Sequence, residues 1–148
     1  MKAAYAKAGW KSVKGYQSWY NAATGPYPSG THGGRYVNNY ADDHGDYRYK
    51  KFEESGTMPF GSVLAKDSFQ VSGNGKVSVG PLFVMEKMGD GFNANTGNWR
   101  YVMIMPNGSV FGATNGKNSK GVAFCAECHN AVGEDQDYMF FLPEENRR

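Results

Sequence analysis

Ser62-Val63-Leu64-Ala65-Lys66-Asp67-Ser68-Phe69-Gln70-Val71-Ser72-Gly73-Asn74-Gly75-Lys76-Val77-Ser78-Val79 reads as a strand, a turn and a returning strand. β-Branched and aromatic residues in the two arms favour extended backbone. Ser72-Gly73-Asn74-Gly75 supplies the small, left-handed-tolerant residues that a tight hairpin needs. Pro59-Phe60-Gly61 leads into the first arm, Ser62 to Val71. The return runs from Lys76 to Met88, with an irregularity expected at Gly80-Pro81, because proline removes a ladder donor. Gly89 to Asn98 is a glycine- and asparagine-rich loop. Trp99 to Met105 follows as a third strand, and Pro106-Asn107-Gly108 turns it back into Val110 to Thr114. Strands joined by such short turns pair antiparallel.

Outward from this meander the signals are shorter. Arg35 to Tyr40 looks like a strand. Asp46 stands at an N-cap position before Tyr47 to Ser55, and Gly56 follows as a C-cap, so a short helix is expected there. Trp10, Val13, Tyr16 and Tyr20 recur at helical spacing and predict one helix or two short ones between Ala3 and Ala23, weakened by Gly9 and Gly15. Thr24 to Gly30 and Asn115 to Gly121 read as loops. A short helix is expected around Gly121 to Val132, and a last strand at Tyr138 to Leu142. The fold class is therefore α+β: a mainly antiparallel β-sheet with flanking helices. The length suits one domain over 1–148, with a helical segment over about 1–26 ahead of a core over 27–148.

Composition bounds the function. The formal charge of +2 argues against nucleic acid or an anionic membrane as partner. No stretch is long and apolar enough for a membrane span. The first ten residues hold no apolar run that would serve as a signal h-region, so a signal, if the protein has one, is removed or omitted. Leucine occurs only at Leu64, Leu82 and Leu142, and isoleucine only at Ile104. Ten tyrosines, three tryptophans and seven methionines supply much of the missing apolar area. A flat aromatic cofactor would supply more.

Both cysteines lie in Cys125-Ala126-Glu127-Cys128-His129, so no disulfide framework remains. This C-x-x-C-H is the attachment pattern of a c-type haem: each thiol takes one vinyl group, and the adjacent histidine reaches the iron. Zinc binding and dithiol redox chemistry are the alternatives. Zinc would need a fourth ligand from His32 or His44, and a redox dithiol a βαβ context that is absent here. Haem c is attached on the oxidising side of a membrane, which places the protein in the periplasm or another extracytoplasmic compartment. The β-rich pattern is unlike the all-helical small electron carriers, and it lacks the long apolar helices of a four-helix bundle.

The order of elements resembles the cytochrome P-460 family, which includes the gas-binding cytochromes c′-beta. Thr31-His32-Gly33-Gly34-Arg35-Tyr36-Val37, Pro59-Phe60-Gly61-Ser62-Val63-Leu64-Ala65-Lys66, Trp99-Arg100-Tyr101-Val102, Phe124 to His129, and Asp137-Tyr138-Met139-Phe140 carry the resemblance, from about Tyr27 onward. It implies a homodimer with one covalent haem c bound at one face, His129 as proximal iron ligand, and an open or weakly capped second face. Family members oxidise hydroxylamine or bind nitric oxide. In the catalytic branch a lysine is bonded to the haem edge, and Lys66 best matches it.

Other residues have competing readings. Lys87, next to Glu86, is the second lysine candidate, although that neighbour suggests a surface charge pattern. A histidine beside glycines, such as His32, more often serves as a hydrogen-bonding residue than as a sixth ligand. His44 is expected to be exposed. Arg35 and Arg100 can pair with haem propionates or line a solvated face. Glu134, Asp135 and Asp137 read as a solvated acidic loop, or less simply as a proton relay. The leading expectation is a periplasmic mono-haem cytochrome whose five-coordinate iron binds small nitrogen ligands or exchanges electrons with a redox partner protein. Its enzyme form would be a hydroxylamine or nitric oxide oxidoreductase. The alternatives are a six-coordinate electron-transfer cytochrome and a haem subunit of a larger redox assembly.

Overall fold

The computed structural model of the protein describes residues 5–148. Its centre is one eight-stranded antiparallel sheet. In chain order the strands are β1 (Tyr20–Asn21), β2 (Tyr27–Ser29), β3 (Arg35–Ala41), β4 (Val63–Val71), β5 (Val77–Val79), β6 (Leu82–Lys87), β7 (Trp99–Ile104) and β8 (Val110–Ala113). The sheet order is β1-β3-β4-β6-β7-β8, with β2 also on β3 and β5 also on β4. The hairpin and the meander lie where their turn residues predict. Pro81 splits the return of the hairpin into β5 and β6, and β4 pairs with both.

Period-two alternation gives the sheet two buried faces. Leu64, Trp99 and Tyr101 point to one face, where they pack with Tyr49, Met58, Met139 and Leu142. Val63, Ala65, Leu82, Val84, Val102 and Ile104 point to the other, where they meet Tyr5, Val13 and Tyr16. The N-terminal segment therefore covers a sheet face, but not as the helix its aromatic spacing predicts. It forms three single 3₁₀ turns, Ala6–Ala8, Lys11–Val13 and Tyr16–Ser18, and then β1. Gly9 and Gly15 sit at φ 64° and 76° and break the helix at each junction. Met1 to Ala4, which include the first two residues of that expected helix, lie outside the described residues.

The first face is capped by α1 (Asp46–Tyr49), a 3₁₀ turn at Phe52–Glu54, and α2 (Ala123–His129). Gly45, not Asp46, is the N-cap of α1, and Asp46 lies in its first turn. The expected strand at Tyr138 to Leu142 does not form. Its carbonyls go elsewhere: Tyr138 O receives His129 Nδ1, and Leu142 O receives Arg147 Nε. The C-terminal tail then runs beside the residues that follow β1: Thr24 N–H donates to Asn146 O, Arg148 N–H donates to Ala22 O, and Arg147 grips Glu53 with both terminal guanidinium nitrogens. Among the described residues no helix is long and apolar enough to cross a membrane.

Candidate functional site

The helix that ends in the C-x-x-C-H stretch opens abruptly. Asn118 is left-handed at φ 46°, a 3₁₀ turn follows at Ser119–Val122, and buried Val122 anchors the start of α2. Cys125, Cys128 and His129 stand at i, i+3 and i+4 and so share one helix face. That face closes one wall of a cleft against the sheet, whose register brings Asn39, Lys66 and Phe83 side by side across β3, β4 and β6. The cleft encloses about 80 Å³ and opens to solvent at its mouth, so a haem-sized group would have to part its walls or extend through that mouth.

His129 presents a neutral imidazole to the cleft. A carbonyl can only accept, so Nδ1 carries the proton it gives to Tyr138 O at 2.6 Å. This leaves Nε2 free for a metal. Burial, partly opposed by that hydrogen bond, lowers the imidazole pKa to about 4. Tyr101 and Phe140 hold the ring from its sides, with centroids at 5.1 and 5.5 Å. Cys125 is half-buried and Cys128 exposed, and both are free thiols. Burial pushes the Cys125 thiol up to about 11, the opposite of the depressed pKa that a redox dithiol needs. Among the described residues no group of three or more His, Cys, Asp or Glu side chains is placed to hold a metal ion.

The opposite wall carries Lys66 and His32. Burial lowers the Lys66 ammonium pKa to about 8, so an appreciable fraction is free amine near neutral pH. His32 is held at Nδ1 by Ser29 Oγ at 2.9 Å, and its ring meets Phe83 edge-on at 4.7 Å. Desolvation, with Lys66 adding to it, drops its pKa to about 3, so it too is neutral. The Tyr101 hydroxyl is buried and has no hydrogen-bond partner, and the rim residues Phe124 and Phe140 are 51% and 38% exposed. An orphan donor at the wall and bare aromatic edges at the mouth fit a large flat group with an apolar body and polar substituents.

A family model described as Cytochrome P460 matches residues 13–141. The chain belongs to the cytochrome P460 family. No curated protein matches it. Membership implies a haem cofactor. The cleft between α2 and the sheet brings Cys125, Cys128 and His129 opposite Lys66 and His32.

The remaining sequence candidates lie elsewhere. His44 is exposed and bonds Phe60 O. Arg100 pairs with Glu86, and Arg35 packs against Gly80. Lys87 is not a surface residue: it is 8% exposed and forms an ion pair with Asp137, away from the cleft. Asp137, read as part of a solvated loop, is 5% exposed. Glu86, read as a surface neighbour, is buried and receives Trp10 Nε1 and Ser12 Oγ. Sequence reading missed Tyr101, Phe83 and Phe140. Tyr101 was legible in principle, since pairing of β6 with β7 sets it opposite Met85 on the cleft face.

Proposed function

We propose that the protein is a periplasmic c-type cytochrome with one haem, bonded through Cys125 and Cys128 and ligated by His129, whose second iron face takes small nitrogen ligands such as nitric oxide or hydroxylamine. The observation that carries this reading is His129: neutral, with Nδ1 engaged and Nε2 free, on the same helix face as both thiols. When bound, the haem supplies a Lewis-acidic, redox-active iron. The chain's own residues do the rest. Tyr138 O fixes the imidazole tautomer. Phe83, Met85 and Phe140 give the cleft an apolar lining. Lys66, with its lowered pKa, offers a neutral amine that can bond to a ring carbon or take a proton from a bound ligand. That amine supports the hydroxylamine-oxidising form. Without it, gas binding or electron exchange with a partner protein remains. We further propose a homodimer, on the family's precedent.

His32 favours a second reading. It is a neutral imidazole in the same cleft, and its Nε2 could complete a six-coordinate, electron-transferring haem. One sample separates the two. Acidified organic solvent should leave the haem on the chain, with a mass of polypeptide plus haem. Ferric iron should be high-spin, and the ferrous protein should bind carbon monoxide and nitric oxide. A low-spin spectrum unmoved by these gases, turned high-spin by His32→Ala, would establish the second reading instead. A ring-bonded Lys66 should give an anomalous haem spectrum that becomes ordinary in Lys66→Ala.

A further inference from the structure

The carbonyl that receives His129 lies on an unusual piece of backbone. Asp137 and Tyr138 are consecutive non-glycine residues at φ 45° and 60°. Both occupy the left-handed region, and such a pair persists only where its surroundings over-determine it. Here the surroundings are specific. Asp137 Oδ1 receives Lys87 Nζ at 2.5 Å, and Oδ2 receives Met58 N–H at 2.8 Å. The main-chain carbonyl of Asp137 receives Trp99 Nε1–H at 2.8 Å. Lys87 Nζ also donates to Gly97 O at 2.9 Å and lies 5.1 Å from the centre of the Trp99 ring. Gly97 leaves room for Tyr138: a Cβ there would come within 2.2 Å of the tyrosine ring.

Lys87, Trp99 and Asp137 are 8%, 0% and 5% exposed, and none of them lines the cleft. A buried ion pair is weak as a source of stability when compared with apolar side chains of the same volume. Its position suggests another role. Lys87, Met58 and Trp99 all bond to Asp137, the residue before Tyr138, and Lys87 also holds Gly97, on which the Tyr138 ring packs.

We propose that Lys87, Asp137 and Trp99 are positioning residues that clamp the Tyr138 carbonyl against His129 Nδ1 and thereby set how strongly that imidazole donates to a haem iron. The inference rests on the reading that His129 is the iron ligand. A carbonyl held close to Nδ1–H gives the ring more anionic character, which favours the oxidised metal. Loosening the clamp should move the midpoint potential upward and weaken the iron–histidine bond.

The test uses haem-loaded wild type, Asp137→Asn, Lys87→Met and Trp99→Phe. The readouts are midpoint potential by spectroelectrochemistry and, where the ferrous iron is high-spin, the iron–histidine stretching band. Asp137→Asn and Lys87→Met should raise the potential and lower the band frequency at an unchanged haem-to-protein ratio. Trp99→Phe keeps an aromatic ring and the ion pair, so it should shift both in the same direction by less, and it remains readable if the charge variants fail to accumulate. Wild-type potential and band in every variant that folds would overturn the clamp while leaving His129 as ligand. Wild type that holds no covalent haem would overturn the ligand reading and the clamp with it.

Discussion

At the residue scale, the charges that matter are those hidden from water. Asp67, on the sheet face away from the cleft, is 1% exposed and accepts from Tyr16 and Asn38. Burial raises its pKa despite those bonds. A carboxyl whose folded pKa lies above its unfolded value near 4 stabilises the fold fully below that value and loses this contribution as pH rises through the folded one. Asp67→Asn should therefore gain stability relative to wild type as pH rises above about 4, a difference visible in urea titrations from pH 3 to 8. Lys87→Met should cost about 3–5 kcal/mol in the same assay, since it strands the Asp137 carboxylate. Sequence reading found the residue types of the cleft but not the fate of these charges. Nothing in Met85-Glu86-Lys87-Met88 shows that Asp137, fifty positions on, will meet the lysine. Burial of a charge is decided by the tertiary partner, and a pattern of neighbours in sequence describes a solvated strand equally well.

At the element scale, turns were legible and termini were not. Ser72 to Gly75 and Pro106 to Gly108 turn the chain as their residues demand, and every strand between them was readable. The N-terminal aromatics were read with helical period, whereas their burial comes from docking single 3₁₀ turns onto the sheet. The segment Tyr138 to Leu142 has strand-like residues, yet its left-handed entry turns it away from any ladder. That entry depends on Gly97, itself at φ 58°. Gly97→Ala should cost at least about 1–2 kcal/mol from backbone conformation alone. The clash with Tyr138 adds to this, so the urea midpoint should fall further than for an exposed Gly73→Ala.

At the scale of the whole molecule, one sheet separates two cores that share few atoms. Ile104→Val on the N-terminal face should cost about 0.5–1.5 kcal/mol, and Met139→Ala on the cleft face about 2–5 kcal/mol. The double variant should equal their sum within about 0.5 kcal/mol, as expected for sites without common partners; a larger coupling would show that the sheet transmits strain between its faces. The sheet also has two outer borders. Asn118 covers that of β8 through a bond to Phe111 O, and on the opposite side the C-terminal tail bonds the residues that follow β1, Ala22 to Thr24. Arg147, stacked on Phe52 and forked onto Glu53, is the latch of the tail. Unlatched, the segment after β1 presents the Thr24 amide and the Ala22 carbonyl to a neighbouring molecule, the geometry from which edge-to-edge polymers grow. Arg147→Ala should then scatter light on mild warming at concentrations where wild type stays clear, while its haem spectrum is unchanged. That outcome would make the C-terminal residues a guard against self-association, a duty separate from the chemistry of the cleft.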